Sequence, residues 1–254
     1  SVAMIAPLVA PGVGAAILWA AGWRAVFVAI ALFGVACLLA VWRLPETHPA
    51  ERRRLHGVRD AAHGYLALFG QRRFVVPALI VALSSGTLMA YLSSSSALLM
   101  DGFGVSPGLF AVLVPSMALC YIVGLRLNMT LVGRHGTVVL LRAYLAIEVP
   151  AVVALVVALA VDAPLWIVLA TLGVVIGCIG GTLPSATAET MRPFGANAGS
   201  ASALLGTLQM GLAGTVAALL AATAAAVAGP ALVMGLAMLA LTLVATALVW
   251  VHRP

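Results

Sequence analysis

Charged residues are scarce in this chain of 254 residues. Asp, Glu, Lys and Arg make up 8% of it, against 64% hydrophobic residues and a mean hydropathy of +1.18. Soluble globular domains carry about 25% charged residues. So few charges cannot cover a water-soluble globule, so the composition excludes a soluble domain and predicts an integral membrane protein.

Lysine is absent altogether, so the formal net charge of +6 comes from arginine. On a membrane protein an arginine excess marks the loops on the cytoplasmic side, and we therefore expect no nucleic-acid partner.

Cysteine is rare as well, and Cys37, Cys120 and Cys178 all lie in apolar runs. There a cysteine more often packs than forms a disulfide or binds a metal.

Long apolar runs take up most of the chain. A bilayer core about 30 Å thick needs roughly 20 apolar helical residues. Eight runs reach that length approximately, with Gly, Pro, Asp or Arg in the breaks between them: residues 2–20, 25–42, 74–99, 109–132, 137–160, 165–186, 198–226 and 231–251. The sequence therefore predicts eight membrane-spanning helices.

Arginine predicts the direction of these spans. The longest connection holds seven arginines from Arg43 to Arg73, and every second connection after it is also basic, with Arg126 and Arg134, then Arg192, then Arg253. By the positive-inside rule these connections and the C-terminus are cytoplasmic. Two spans, a basic loop and six more spans suggest that four spans precede this chain, which would then be a fragment of a protein with six spans in each half.

Two motifs carry further information. Gly124 and Asn128 lie one helical turn apart, near a basic connection that ends in Arg134 and Gly136. The small residue would permit close approach of another helix, and the polar side chain could cap or bond the end of that neighbouring helix. A basic interfacial turn without further role is the simpler interpretation.

The first span contains Pro7, Ala10-Pro11 and Gly14, which would kink it and allow tight packing.

These motifs resemble two of the major facilitator superfamily. The first resembles its gating turn, with Asn128 in place of the acid, and the second resembles the antiporter motif of drug exporters, with alanines at two glycine positions. Further segments resemble the bicyclomycin and chloramphenicol resistance (Bcr/CflA) branch of drug:proton antiporters: Leu44-Pro45-Glu46-Thr47, Arg72-Arg73-Phe74, Tyr91-Leu92-Ser93, Pro184-Ser185-Ala186-Thr187-Ala188 and the stretch from Ala198 to Gly206.

The resemblance implies an all-α helical bundle of twelve spans, of which eight are present. Residues 1–43 would be the last two helices of the N-terminal half, 44–73 the central cytoplasmic loop and 74–254 the C-terminal half. It implies a monomeric multi-pass protein of the bacterial inner membrane that exports hydrophobic drug-like molecules by alternating access. No cofactor is expected, because the proton gradient would supply the energy. The coupling residues would lie in the missing spans, so residues 1–254 alone should not transport.

The resemblance also places a substrate cavity beside four of the spans. The polar residues available there are few, and they are the candidates for substrate contact: Tyr91, Ser93, Ser95, Thr207 and Gln209. Hydroxyls in membrane helices often bond their own backbone instead. Gln209 lies about 16 Å along its span, near mid-bilayer, where an amide needs partners.

Glu148 is the only acid deep in a predicted span. An ionised side chain there costs a few kcal/mol or more, so intramembrane acids are functional candidates. A hydrogen-bonded structural role is the favoured interpretation, because the family's fold places this span at the periphery; proton coupling is the alternative. Arg142 precedes Glu148 by six residues and is an imperfectly spaced ion-pair partner for it.

The sequence also bears on two other functions. An importer or exporter of a sugar or small metabolite within the same superfamily is the main alternative, and the antiporter-like first span speaks against it. An intramembrane enzyme is not expected, because the five histidines lie in loops or at the terminus and no His, Asp, Glu and Cys cluster shares a helix face, which leaves no metal or catalytic site.

Overall fold

The structure is a computed structural model that describes residues 2–43, 68–195, 198–224 and 229–251. Most of the predicted central loop and Arg253 lie outside these ranges. The chain divides into two compact units, residues 1–60 and 61–254. The predicted division at residues 43 and 73 stays a prediction.

The apolar runs form helices, because lipid offers no hydrogen-bond partners and a helix satisfies its own backbone. Among the described residues, seven helices are long and apolar enough to cross a membrane. The helices are α1 (Val2–Trp42), α2 (Arg72–Ser96), α3 (Pro107–His135), α4 (Thr137–Ala160), α5 (Leu165–Met191), α6 (Ala198–Ala224) and α7 (Pro230–Val251), and a π-helical segment, Ala97–Gly102, extends α2.

The first two predicted spans belong to one element. The backbone of α1 leaves helical geometry only at Gly22, with φ 78° and ψ 174°. The expected break between the two runs is therefore confirmed, and it lies at Gly22, because glycine adopts positive φ without steric cost and one residue suffices for the break. Each segment flanking Gly22 is about 30 Å long, which matches the bilayer core. The first two predicted runs are thus the two helical segments of α1, which meet at Gly22.

Helices α2 to α7 form the second unit, a bundle with alternating helix direction. α2 packs against α5, α6 and α7, while α4 packs against α5 and α7, and α3 packs against α5. The start of α7 lies beside the end of α4, since Gly235 adjoins Val156 and Leu159. One end of the bundle carries Arg72, Arg134 and Arg192 near the helix termini, and we call it the basic end.

Backbone contact joins α3 to α5. A Cβ atom on Gly124 would collide with the carbonyl oxygen of Gly177, and one on Gly180 with that of Tyr121. Gly173, Gly177 and Gly181 recur every four residues along α5 and form a close-packing face. Gly173 and Gly177 face Cys120 of α3, whereas Gly181 contacts the ring of Tyr144 on α4. Small residues permit this close approach.

Replacing Gly124 by alanine tests the contact. We expect Gly124→Ala to lower the free energy of unfolding by about 1–3 kcal/mol, the usual cost of overpacking, because the new methyl group meets backbone that cannot move aside alone. Thermal unfolding of the purified chain in detergent measures the effect.

The matched control is Gly133→Ala in the same helix. Its Cβ position has no atom within 4 Å, so the higher helix propensity of alanine should leave the unfolding midpoint unchanged or raised. Equal midpoints for the two variants would contradict the close contact.

Candidate substrate cleft

A cleft of about 480 Å³ lies between α3, α5 and α6. Its walls combine residues from the second half of α3, the last third of α5 and the middle of α6. They are Tyr121, Leu125, Leu183, Pro184, Thr187, Ala188, Met191 and Gln209. Because α5 ends at Met191 and α3 at His135, the cleft lies in the half of the bundle toward the basic end.

The positions of three helices create this cleft. α5 contacts α3 and α2 extensively but barely touches α6, so a gap remains on that side of α5. Pro184 lies inside α5 and lines the gap. A proline inside a helix removes the hydrogen bond to the carbonyl four residues earlier, which here belongs to Gly180, the residue packed against α3.

The lining of the cleft carries no formal charge. Its polar side chains are Tyr121, Thr187 and Gln209, one from each of α3, α5 and α6, and the remaining lining residues are apolar. A largely apolar concave surface with a few convergent polar groups is typical of small-molecule sites. The cleft can therefore bury an uncharged amphiphilic group and offer it hydrogen bonds from three directions.

Of the predicted substrate-contact residues, Gln209 lines this cleft and is half-buried there. Thr207 is exposed and donates to the carbonyl oxygen of Ala203, 2.9 Å away. Gln209 thus lies in the wall of a cleft, whereas the hydroxyl of Thr207 is bonded to the backbone of its own helix.

The three candidates on α2 do not line the cleft. Tyr91 is 2% exposed within the apolar core. Ser95 is buried and donates to the carbonyl oxygen of Leu92 at 3.0 Å. Ser93 donates to that of Ala90 at 3.3 Å and lines a separate cavity of about 50 Å³ between α2, α6 and α7. A role for these residues in substrate contact stays a prediction.

Sequence reasoning missed Tyr121 and Thr187 as cleft residues. Thr187 lies in the Pro184 to Ala188 segment that carries the family resemblance, and Pro184 was the available signal for a local opening in α5. Tyr121 precedes Gly124 by three residues and so shares its side of α3. Its position depends on the packing of α3 against α5, which sequence alone does not give.

The residues predicted as a gating turn are divided between two places. Gly124 and Asn128 lie inside α3, and only Arg134 and Gly136 are at the turn, where Gly136 has φ 78°. Asn128 is 4% exposed, and its Oδ1 accepts a hydrogen bond from Oγ of Ser185 at 2.7 Å. The expectation that a small residue and a polar side chain would join α3 to a neighbouring helix is therefore confirmed, with α5 as the neighbour. A gating role stays a prediction.

The antiporter-like residues Pro7, Ala10, Pro11 and Gly14 all lie in the first segment of α1, where the backbone dihedrals stay helical. The side chains of the first three lie outside the described part of the structure. No atom of its own unit lies within 4 Å of the Cβ position of Gly14. Close packing of another helix against this surface stays a prediction.

Glu148 lies apart from the cleft, between α4 and α7. It is 1% exposed, and its Oε1 accepts a hydrogen bond from Oγ1 of Thr242 at 3.0 Å. The guanidinium of Arg142 lies over the ring of Trp250, 5.3 Å from its centroid. Glu148 is therefore hydrogen-bonded, as the favoured interpretation expected.

A second buried acid, Glu189, stabilises the basic end. Its Oε2 accepts a hydrogen bond from Oγ1 of Thr137 at 2.7 Å, and Nη1 of Arg192 lies 3.9 Å from the same oxygen. Because Thr137 is the first residue of α4, the carboxylate lies at the positive end of that helix's dipole, which favours its negative charge.

Comparison with known proteins agrees with this fold. The Major Facilitator Superfamily profile matches residues 1–218. YdgK of Bacillus subtilis, named an uncharacterized MFS-type transporter, is 33% identical over 213 residues, which is 81% of this chain and 52% of that protein. The chain spans about half the length of this relative.

Two further relatives have names that refer to drugs. The bicyclomycin resistance protein homolog of Haemophilus influenzae is 26% identical over 230 residues, or 90% of this chain and 58% of that protein. The multidrug transporter MdfA of Yersinia pestis is 31% identical over 137 residues, or 54% of this chain and 32% of that protein.

The seven long apolar helices define a multi-pass, all-α membrane protein. With the profile matching most of the chain, its family follows: this protein belongs to the Major Facilitator Superfamily.

Removing the hydroxyl of Ser185 tests the tie between α3 and α5 beside the cleft. Ser185→Ala should lower the free energy of unfolding by about 0.6 kcal/mol, and by no more than about 1.7 kcal/mol, the range measured for hydrogen bonds between membrane helices. Unfolding of the purified chain in detergent measures this. Asn128→Ala in the Ser185→Ala background should then cost less than in the wild type.

Ser116→Ala is the control, because its hydroxyl bonds only the carbonyl oxygen of Leu113 in its own helix. We expect the control to keep the wild-type midpoint. Additive effects of Asn128→Ala and Ser185→Ala would contradict direct coupling between the two side chains.

Proposed function

We propose that this protein serves in the efflux of hydrophobic, drug-like molecules across the bacterial inner membrane, driven by proton influx. The observation that carries the proposal is the uncharged cleft between α3, α5 and α6, with Gln209 in its wall. Membership of the superfamily supports transport, and the names of the multidrug and bicyclomycin relatives support a drug as cargo.

The lining of the cleft fits this cargo better than a sugar or a charged metabolite. A sugar presents many hydroxyls, which need several polar partners when buried, because each unpaired polar group costs free energy. The described cleft offers three polar side chains among apolar ones. An amphiphilic molecule with a few polar groups would leave no hydroxyl unpaired there.

Proton coupling and alternating access complete the proposal. The lining of the cleft has no carboxylate, so a coupling acid would have to lie elsewhere. We place the cleft on the cytoplasmic side, because the basic end of the bundle fits the positive-inside rule. Substrate would enter the cleft from the cytoplasm or inner leaflet, and rocking of the two halves would expose it to the other side.

Gln209→Ala in the intact transporter tests the cleft. Because Gln209 is a polar group in an otherwise apolar wall, its loss should weaken binding of chloramphenicol, an uncharged probe with hydrogen-bonding groups, by about threefold to tenfold, the equivalent of about 0.6–1.4 kcal/mol for one hydrogen bond. Met210→Ala is the control, since Met210 is 63% exposed and does not line the cleft. Equal binding by both variants would contradict the assignment.

The direction and energy source need a separate experiment. In inverted membrane vesicles that contain the transporter, an acidic interior should drive uptake of the drug into the vesicle, and collapse of the pH gradient with an ionophore should stop it. Drug movement in the opposite direction would favour the importer alternative, and uptake that is independent of the gradient would contradict proton coupling. Radiolabelled chloramphenicol gives the readout, and vesicles without the transporter give the baseline.

A further inference from the structure

The Glu148 carboxyl group is the most deeply buried acid among the described residues, and it lies outside the cleft. It begins the fourth turn of α4, about 16 Å from the start of the helix, and faces α5 and α7. Thr242 of α7 donates to Oε1, whereas Oε2 is buried and has no hydrogen-bond partner within the described part of the structure. One donor for two oxygens is a poor environment for a carboxylate, which accepts several hydrogen bonds.

A second buried oxygen without a hydrogen-bond partner lies on the same helix face. The hydroxyl of Tyr144 finds none among the described residues, and Tyr144 precedes Glu148 by four residues, which places the two side chains one turn apart. Its ring contacts Gly181 of α5, and Cys178 of α5 is close enough to both residues to interact electrostatically. Tyr144 and Glu148 therefore lie on the same face of α4, each near Cys178 of α5.

The charged groups on the surrounding helices lie elsewhere. On α4 the guanidinium of Arg142 stacks on Trp250, and on α5 the carboxylate of Glu189 is held by Thr137 at the basic end. The cations of α3 are exposed at Arg126, Arg134 and His135, and residues 230–251 of α7 contain no charged residue. The described groups that interact with Glu148 are thus Thr242 and Cys178.

We infer that Glu148 is a proton-binding site in this protein, occupied at neutral pH. A buried carboxylate with one neutral donor and no facing cation is strongly disfavoured. A proton taken from water onto Oε2 removes the charge and turns that oxygen into a donor. The same acid keeps Oε1 as the acceptor for Thr242, so proton binding also ties α4 to α7.

Infrared spectroscopy of the purified chain in detergent tests the inference. A protonated carboxyl group has a carbonyl stretch that a carboxylate lacks. At neutral pH we expect this band in the wild type and its loss in Glu148→Gln, and we expect it to persist in Glu189→Gln, because Glu189 accepts a hydrogen bond from Thr137 and has Nη1 of Arg192 3.9 Å away. An unchanged band in Glu148→Gln would overturn the inference.

A second pair of variants keeps the test decisive if Glu148→Gln does not fold. Thr242→Val removes the donor to Oε1 and should shift the band to higher frequency, as expected for a carbonyl that loses a hydrogen bond. Thr246→Val is the control, because the hydroxyl of Thr246 bonds the carbonyl oxygen of Thr242 in its own helix. The absence of a carboxyl band at neutral pH, or equal shifts in both variants, would contradict the proposed site.

Discussion

The backbone contact between α3 and α5 fixes the geometry on which the cleft depends. Gly124 meets Gly177 with no side chain between them, and Gly180 meets Tyr121. That spacing lets Asn128 reach Ser185 at 2.7 Å. It also holds Tyr121 and Leu125 opposite Pro184, as the two facing walls of the cleft. A larger residue at position 124 would move α3 outward and change all of these distances together.

Much of the fold could be predicted from the sequence because lipid restricts the possibilities. Apolar runs of about 20 residues must be helical in a bilayer, and helices α2 to α7 appear where the runs predict them. Gly124 and Asn128 were correctly predicted to join α3 to a neighbour, because a small and a polar residue one turn apart allow little else. The break at Gly22 shows the limit of sequence-based prediction. Its position was predicted correctly, but a single residue leaves helical geometry there instead of a turn of four residues.

The cleft was harder to predict, because helix periodicity does not reveal which neighbour a face meets. Of five candidates, Gln209 lines it, while Tyr91 points into an apolar core. Both are polar residues deep in apolar helices, and their sequence contexts look alike. What separates them is packing: α2 is enclosed by α5, α6 and α7, whereas α6 leaves its side toward α5 open. Contacts between helices distant in sequence decide this.

The polar side chains of Gln209 and Glu148 have different surroundings in the bundle. Gln209 is half-buried in a cleft whose lining also contains Tyr121 and Thr187. Glu148 is enclosed, and its one bond joins α4 to α7. The proposed substrate contact at Gln209 and the proposed proton site at Glu148 therefore lie on different helices, α6 and α4, while α5 both packs against α4 and lines the cleft.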